Sequence, residues 1–207
     1  MMYRKYIKRL LDFILSLIAI IILLPILVII ATIVRIKLGF PIFFKQDRVG
    51  KDEKIFKMYK FRTMADKRDE NGNLLPDEQR ITPFGSILRS TSLDELPELF
   101  NILKGDISIV GPRPLPVEYL QYYTDYEKVR HSVRGGLTIP EVLYGNLTPT
   151  WEEQFHYEVL YVNKLSFLLD VKIVFTTIRI LFKRVYEDYG NEVRIPLAEE
   201  RKIYHDL

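Results

Sequence analysis

The longest apolar stretch of the chain lies near its start and predicts a membrane-embedded helix. Residues 13–34 form a run of 22 residues without a charged side chain. A helix of about 20 apolar residues is long enough to cross a bilayer core of ~30 Å. A secretory signal peptide is a poor match, because the run is too long and no small-x-small cleavage site precedes the charged segment after it.

Two topologies are open for this helix, a single span and a re-entrant hairpin. Basic residues flank it on both sides: Arg4, Lys5, Lys8 and Arg9 before it, and Arg35, Lys37, Lys45, Arg48 and Lys51 after it. Because such residues favour the cytoplasmic side of a membrane, a straight crossing leaves one cluster outside. Pro25 lies near the middle, where a proline costs ~3 kcal/mol unless the helix bends. We favour a helix that breaks at Pro25 and returns to the same face.

Beyond residue 39, the pattern predicts a mixed α/β domain that is mainly helical. Residues 40–64 read as short strands around a turn at Val49 and Gly50, and residues 65–85 as an exposed loop. Helices are expected over 83–91 and from 94–97 to Lys104, where Gly105 is a typical stop. A short buried strand is expected in 106–114, and helices over 117–131, 151–162 and 167–186.

The last of these helices has two readings. Its apolar positions share a broad face, and its basic positions decorate the other: Leu168, Val171, Ile178, Leu181, Phe182 and Val185 against Lys172, Arg179, Lys183 and Arg184. Such a helix either packs on a core or lies in the headgroup layer of a membrane. The sequence leaves both open.

Composition narrows the classes of function. The 207 residues are 48% hydrophobic and 28% charged, as in a folded protein. The net charge of +3 gives no reason to expect nucleic acid as a partner. The absence of cysteine excludes disulfides, thiolate metal sites and a cysteine nucleophile. The sequence also lacks a P-loop, a dinucleotide fingerprint and an HExxH motif.

Adjacent carboxylates at Asp94 and Glu95 are the first candidate for chemistry. Ser92 and Glu95 fit an S-x-x-E capping box, so simple helix capping is one explanation. A helix start also favours negative charge and attracts phosphate. Two adjacent carboxylates near an anionic substrate suggest a divalent cation, and oxygen ligands with phosphate suit Mg²⁺.

Arg113 is the second candidate. It lies between Pro112 and Pro114, which stiffen the backbone that presents its guanidinium. Such a group suits bidentate phosphate binding, although a structural pairing with a core acid is an equal alternative. Lys60, Arg62 and Arg89 could complete a basic ring, or each could be a solvated surface charge.

Four segments together resemble the small monotopic phosphoglycosyl transferases, a group of bacterial sugar transferases. They are FKMYKFRTM (56–64), TPFGSILRSTSLDELPELFNILKGDISIVGPRP (82–114), RGGLT (134–138) and WEEQFHYEVLYV (151–162). The apolar segment with its central proline also resembles the re-entrant membrane helix of that family. The resemblance implies three regions: a membrane helix with its basic flank (1–38), a cytosol-facing catalytic domain with interfacial helices (39–190) and a peripheral tail (191–207).

The resemblance implies a ping-pong transfer at the cytoplasmic face of the bacterial inner membrane. Asp94 would take a phosphosugar from a nucleotide diphosphate sugar, with UDP as the expected nucleotide, and pass it to undecaprenyl phosphate in the first membrane step of glycoconjugate synthesis. Asp94 and Glu95 would hold Mg²⁺. The positions expected to bind phosphate or substrate are Lys60, Arg62, Arg89, Arg113, Arg134 and Glu158. Membrane lipid is an expected partner, and a homodimer is compatible with the family.

The chain departs from the family pattern at two places. Gly135 replaces a proline, and Ile139-Pro140-Glu141 replaces Gly-Trp-Ala-Gln in a loop that relatives usually carry. Glu158 stands where an aspartate is usual. Selection of sugar, nucleotide and acceptor is therefore left open. Two other hypotheses are a catalytically silent membrane anchor for glycan-assembly enzymes and a phosphohydrolase that uses the same nucleophile with water.

Overall fold

The computed structural model of the chain describes residues 2–145, 149–184 and 195–205. The described helices are α1 (Lys8–Leu38), α2 (Asp77–Arg80), α3 (Pro83–Ser90), α4 (Glu98–Lys104), α5 (Asp125–Lys128), α6 (Trp151–Lys164), α7 (Phe167–Arg184) and α8 (Leu197–His205). The described strands are β1 (Phe43–Val49), β2 (Ile55–Phe61), β3 (Ser108–Val110) and β4 (Gly136–Thr138). The fold is therefore mainly helical with two small sheets, as the sequence predicts.

The strands form one hairpin and one short parallel pair. β1 and β2 are antiparallel, with Phe43 opposite Phe61 and Val49 opposite Ile55. This confirms the strands predicted on either side of the turn at Val49 and Gly50. β3 pairs with β4 in parallel, so residues 108–110 and 136–138 meet although they are distant in sequence. The parallel pair places the turn after β3 beside the loop that diverges from the family.

Helix α1 continues through Pro25 without interruption. The expected helix-break-helix is therefore not confirmed. Packing on both sides of the proline explains why the segment stays helical despite the lost backbone bond. Before it, Ile20 packs with Leu99, Ile102 and Ile107. After it, a second apolar group contacts the domain: Leu27, Ile30, Val34 and Leu38 pack with Phe61 and Leu88.

Polar contacts fix the first half of α1 to the same domain. The Lys8 ammonium lies 2.6 Å from the buried carboxylate of Asp170, which also accepts hydrogen bonds from Tyr3 and Tyr161. Asp12 accepts from the Ser108 hydroxyl at 2.6 Å and the Ile109 amide at 3.0 Å. Each buried charge has a partner, so these contacts set the register of α1 on the domain.

The opposite face of α1 is a broad apolar surface. Its exposed side chains include Phe13, Ile14, Leu17, Ile18, Ile21, Ile22, Leu24, Val28 and Ile29. By length and composition, residues Tyr3–Leu38 could cross a membrane. An exposed apolar surface of this size is typical of a membrane or protein contact.

One predicted helix differs from the structure, and the segment predicted as a loop, 65–85, contains the short helix α2. The helix expected over 117–131 is three short ones, a 3-10 helix (Val117–Tyr122), α5 and a second 3-10 helix (Val129–Ser132). A capping box between Thr124 and Glu127 starts α5 anew and so divides the segment. The predicted end of the last long helix, 185–186, lies outside the described residues.

The C-terminal segment is not peripheral in its described part. Leu197 is fully buried and packs with Trp151 and Phe155. The Trp151 indole donates to the Ile195 carbonyl at 2.9 Å. The predicted tail therefore includes a helix, α8, that covers the start of α6. This helix is anchored by one buried leucine within a mostly polar segment. A single apolar residue forms no periodic pattern, so the sequence does not predict the contact.

The seam between α1 and α4 gives a stability prediction. Ile102 is fully buried there, and Ile102→Ala should reduce the free energy of unfolding by ~2–5 kcal/mol because it leaves a cavity. Thermal unfolding in detergent measures the effect. Ile87→Ala, at a position 59% exposed on α3, is the matched control and should change little. Equal loss in the two variants would contradict the packing described here.

Candidate active site

The Asp94–Glu95 pair is held in a short 3-10 helix (Leu93–Glu95) between α3 and α4. Ser92 precedes it with φ +56°, in the left-handed region. The capping box predicted between Ser92 and Glu95 is wrong, because the Ser92 side chain makes no capping hydrogen bond. Capping residues usually have an extended backbone, and the left-handed turn does not provide it. Helix capping therefore does not account for this sequence.

A polar cavity of ≈ 640 Å³ contains the predicted dyad and most of the predicted basic residues. Its lining includes Asp94, Glu95, Lys60, Arg62, Arg89 and Arg113. They come from β2, the end of α3, the 3-10 helix and the turn after β3. The structure therefore brings together side chains that span more than fifty residues of sequence.

Lys60 links the carboxylates of this site. Its ammonium lies 2.5 Å from Glu95 Oε1 and 3.4 Å from Glu98 Oε1. Burial alone would lower the pKa of Lys60, but the attraction of Glu95 and Glu98 outweighs it and the pKa is raised. Lys60 is therefore a fixed positive charge inside the carboxylate cluster.

Asp94 is a partly desolvated carboxylate. Burial, together with repulsion from Glu95, raises its pKa to about 6, against the opposing effect of Lys60 and Arg89. Burial likewise raises the pKa of Glu98 to about 7, and the nearby charge of Glu95 adds to it. Near pH 7 Asp94 is thus mainly ionised and poorly solvated, the state expected of a nucleophile.

The backbone of Arg113 is held in place, and its guanidinium is left accessible, as its position between two prolines predicts. Its amide donates to Glu158 Oε1 at 2.8 Å, and its carbonyl accepts from Arg130. Its side chain is exposed, and its guanidinium makes no hydrogen bond to any described residue. Arg89 uses Nε to reach the Thr63 hydroxyl at 3.0 Å. Both terminal groups can therefore turn to an anion in the cavity.

Glu158 supports this turn from inside the protein. It is fully buried and bonded to Arg130 through both oxygens, at 2.5 and 3.0 Å. It also accepts a hydrogen bond from the side-chain amide of Gln154 at 3.1 Å. The position expected to contact substrate instead belongs to a buried ion pair that holds the Arg113 backbone.

Two other predicted positions have structural partners. The Arg62 guanidinium donates to the carbonyls of Leu38, Phe40 and Met64, which ties the end of α1 to β2. Arg134 donates to the Gly105 carbonyl at 2.7 Å and lines a separate small cavity with Arg4 and Arg9. Arg62 thus borders the site with its donors occupied, and Arg134 lies outside it.

Sequence reasoning missed three residues at or beside the site. Arg48 lines the polar cavity, with Nε and Nη1 buried and without partners among the described residues. The sequence suggests only a membrane-flanking charge there. Glu98 follows the dyad by one helical turn, a spacing that signals it. Glu141 is buried in a second cavity; the sequence marks it only as part of the loop that departs from the family pattern.

This second cavity is an apolar chamber of ≈ 710 Å³. Its apolar lining comes from several elements: Leu23 of α1, Leu96, Leu99, Leu115, Leu137, Ile139, and Ile180 and Leu181 of α7. It shares Ser92, Glu95 and Arg113 with the polar cavity. The two cavities therefore meet at Glu95, next to Asp94, and the apolar one extends to both helices that carry exposed apolar faces.

The donor set near Asp94 does not form a closed metal site. Among the described residues, no group of three or more histidine, aspartate or glutamate side chains is placed to hold a metal ion. Asp94 and Glu95 provide two carboxylates, and Glu95 already contacts Lys60. Two carboxylates are nevertheless enough for Mg²⁺, which proteins commonly bind through one or two carboxylates while water and substrate phosphates complete its coordination.

Comparison with known proteins identifies the family. The bacterial sugar transferase family model matches residues 3–184. The chain is 51% identical to the sugar transferase EpsL of Bacillus subtilis, over 71% of this chain and 73% of that protein. It is 38% identical to the UDP-glucose:undecaprenyl-phosphate glucose-1-phosphate transferase of Klebsiella pneumoniae, over 83% of this chain and 39% of that protein.

A third relative is the exopolysaccharide production protein PSS of Rhizobium leguminosarum bv. phaseoli, 35% identical over 83% of this chain and 92% of that protein. The chain therefore belongs to the bacterial sugar transferases, which confirms the family predicted from the sequence. It spans well under half of some longer relatives, including the Klebsiella transferase, and most of others such as EpsL.

The Glu158–Arg130 pair gives the second prediction. Glu158→Gln leaves the fully buried Arg130 without a countercharge, so it should reduce the free energy of unfolding by ~3–5 kcal/mol. Thermal unfolding measures the loss. Glu152→Gln, at an exposed position on α6, is the matched control and should stay within ~0.5 kcal/mol of the parent. A Glu158→Gln protein as stable as the control would show that the pair does not hold this turn.

Proposed function

We propose that this protein transfers a phosphosugar from a UDP-sugar to undecaprenyl phosphate through a covalent intermediate on Asp94. The observation that carries the proposal is the position of the dyad, where a basic cavity meets an apolar chamber. Such a junction suits one anionic, water-soluble substrate and one lipid substrate. Two relatives named UDP-glucose:undecaprenyl-phosphate glucose-1-phosphate transferase support the same pair.

The polar cavity, with its basic lining, is the site proposed for the nucleotide diphosphate sugar. Arg48, Lys60, Arg89 and Arg113 line it, and a diphosphate carries the complementary charge. The free terminal nitrogens of Arg89 and Arg113 suit bidentate contacts to phosphate oxygens. Positioning and charge neutralisation provide most of the rate enhancement in phosphoryl transfer.

In the first step, a carboxylate oxygen of Asp94 attacks the β-phosphorus. The bond between that phosphorus and the oxygen bridging to the α-phosphate breaks, and nucleoside monophosphate leaves with the electron pair. The product is a sugar phosphate esterified to Asp94. Lys60 and Arg89 favour the ionised carboxylate that this step needs, although burial raises its pKa to about 6.

In the second step, a phosphate oxygen of the lipid attacks the same phosphorus from the side of the apolar chamber. The bond to Asp94 breaks, and the carboxylate is restored. Asp94 and Glu95 are the residues that would hold Mg²⁺, which when bound neutralises phosphate charge. The chamber gives the chain of the acceptor an apolar surface close to the reacting carboxylate.

The same arrangement supports a monotopic placement at the cytoplasmic face of the inner membrane. Both halves of α1 contact one folded domain, so a straight span would draw that domain into the lipid. Helix α7 exposes a second apolar group: Phe167, Leu168, Phe175, Ile178 and Leu181. Of the two readings of α7, the exposed apolar face favours the headgroup layer.

The nucleophile is tested by a substitution that keeps its shape. Asp94→Asn removes the attacking oxygen anion, so release of nucleoside monophosphate from a UDP-sugar should fall by at least ~10³-fold. The measurement is nucleotide release with undecaprenyl phosphate present. Asp125→Asn, at a fully exposed aspartate on α5, is the control and should retain activity. Release that persists in Asp94→Asn would exclude the mechanism, and absence of release by the parent across a panel of sugars would favour a silent anchor.

Topology is tested with single cysteines, since the chain has none of its own. Met2→Cys and Lys45→Cys place thiols before and after α1. In intact cells both should be protected from an impermeant thiol reagent added outside, and both should react after permeabilisation. Labelling of either position from outside would show a true span.

A further inference from the structure

Glu141 is a buried carboxyl group whose role the mechanism above does not use. Only 3% of the residue is exposed, and neither carboxylate oxygen has a hydrogen-bond partner in another described residue. A buried polar group without a partner is costly, so such groups in native proteins call for an explanation. Glu141 lines the apolar chamber, where Arg113 is also exposed.

Neighbouring packing keeps the Glu141 side chain there. It lies in a 3-10 helix (Pro140–Tyr144), and the next two residues, Val142 and Leu143, pack against the core around Tyr161 and Ile173. This helix packs on α6 and α7. The carboxyl group cannot easily turn to water while those two partly buried apolar side chains remain packed on the core.

Among the residues that the structure describes, the charged groups that act on Glu141 are Arg113, Arg130 and Glu158. Glu158 comes from α6 and is paired with Arg130, whereas the described side chains of α7 that line the chamber, Thr177, Ile180 and Leu181, are uncharged. Burial, with the nearby charge of Glu158, raises the pKa of Glu141 to about 8, against the opposing effect of its own backbone amide and of the two arginines. At neutral pH the group therefore carries its proton and can donate a hydrogen bond.

We propose that Glu141 donates a hydrogen bond to the phosphate of the acceptor lipid, beside Arg113 at the polar end of the apolar chamber. The inference rests on the proposed function. A phosphate monoester provides acceptor oxygens for the neutral carboxyl group and negative charge for the guanidinium. The lipid chain then lies on the apolar walls towards Leu23 and Ile180. Glu141 thus selects a phosphorylated lipid and is a substrate-binding residue for the second step.

The test compares Michaelis constants for the two substrates. Glu141→Ala removes the donor and should raise the KM for undecaprenyl phosphate roughly tenfold or more, as expected for a hydrogen bond to a charged group. The KM for the UDP-sugar should change less than twofold. Glu141→Gln keeps a donor and should stay within about threefold of the parent at pH 7. Glu152→Gln, which lines neither cavity, is the control.

The pH dependence adds a second readout. The proton on Glu141 is lost as pH rises through its pKa of about 8, so acceptor kcat/KM of the parent should fall above that pH. Glu141→Gln should lack this decline. Dividing its acceptor kcat/KM by that of the parent at each pH removes the effect of titration of the lipid phosphate, which is the same for both proteins. The ratio should rise between pH 7 and 9.5, and this test holds even if Glu141→Ala does not fold.

Three results would overturn the inference. An increased KM for the UDP-sugar alone would mean that Glu141 contacts the donor sugar. Unchanged constants in Glu141→Ala would mean that it binds neither substrate. A Glu141→Gln variant as impaired as Glu141→Ala would mean that the ionised carboxylate is required. Each presumes Asp94-dependent nucleotide release by the parent, and its absence would instead overturn the proposed function.

Discussion

The Lys60 ammonium, placed among the carboxylates of Glu95 and Glu98 and close to Asp94, is the interaction on which the site depends. Three carboxylates along one and a half turns of chain would repel one another, and each would tend to bind a proton when buried. The raised pKa values of Asp94 and Glu98 show that burial is only partly offset. The positive charges of Lys60 and Arg89 offset enough of the cost of burial for Asp94 to be ionised with little water around it. A carboxylate in that state is more reactive towards phosphorus than one in bulk solvent.

The position of this cluster matters as much as its charge. It lies where a basic cavity and an apolar chamber share Ser92, Glu95 and Arg113. The chamber reaches α1 and α7, the helices with exposed apolar faces. In the proposed reaction, a membrane-bound acceptor would therefore approach without leaving its lipid environment. The buried Arg130–Glu158 pair holds the Arg113 backbone at this junction. Membrane attachment and chemistry thus depend on the same few elements.

Much of this could be predicted from local sequence. The apolar run, the hairpin around Gly50, the stop at Gly105 and the stiff turn at Arg113 each follow from short-range signals, and the structure has them. The partners of Glu158, Arg62 and Arg134 could not be predicted, because a charged residue in sequence does not reveal which carbonyl or ion it will meet in space. The same holds for Leu197 and Glu141, whose burial depends on elements distant in the chain. The uninterrupted path of α1 through Pro25 depends on tertiary packing on both sides, which overrides a strong local signal.

The central claim is a phosphosugar bonded to one side chain, and mass spectrometry tests it most directly. The protein is incubated with a UDP-sugar in the absence of acceptor, quenched and digested. The peptide containing Asp94 should gain the mass of one sugar phosphate and lose it when undecaprenyl phosphate is added. An unmodified Asp94 peptide, in a preparation that completes the full transfer, would rule out the covalent intermediate.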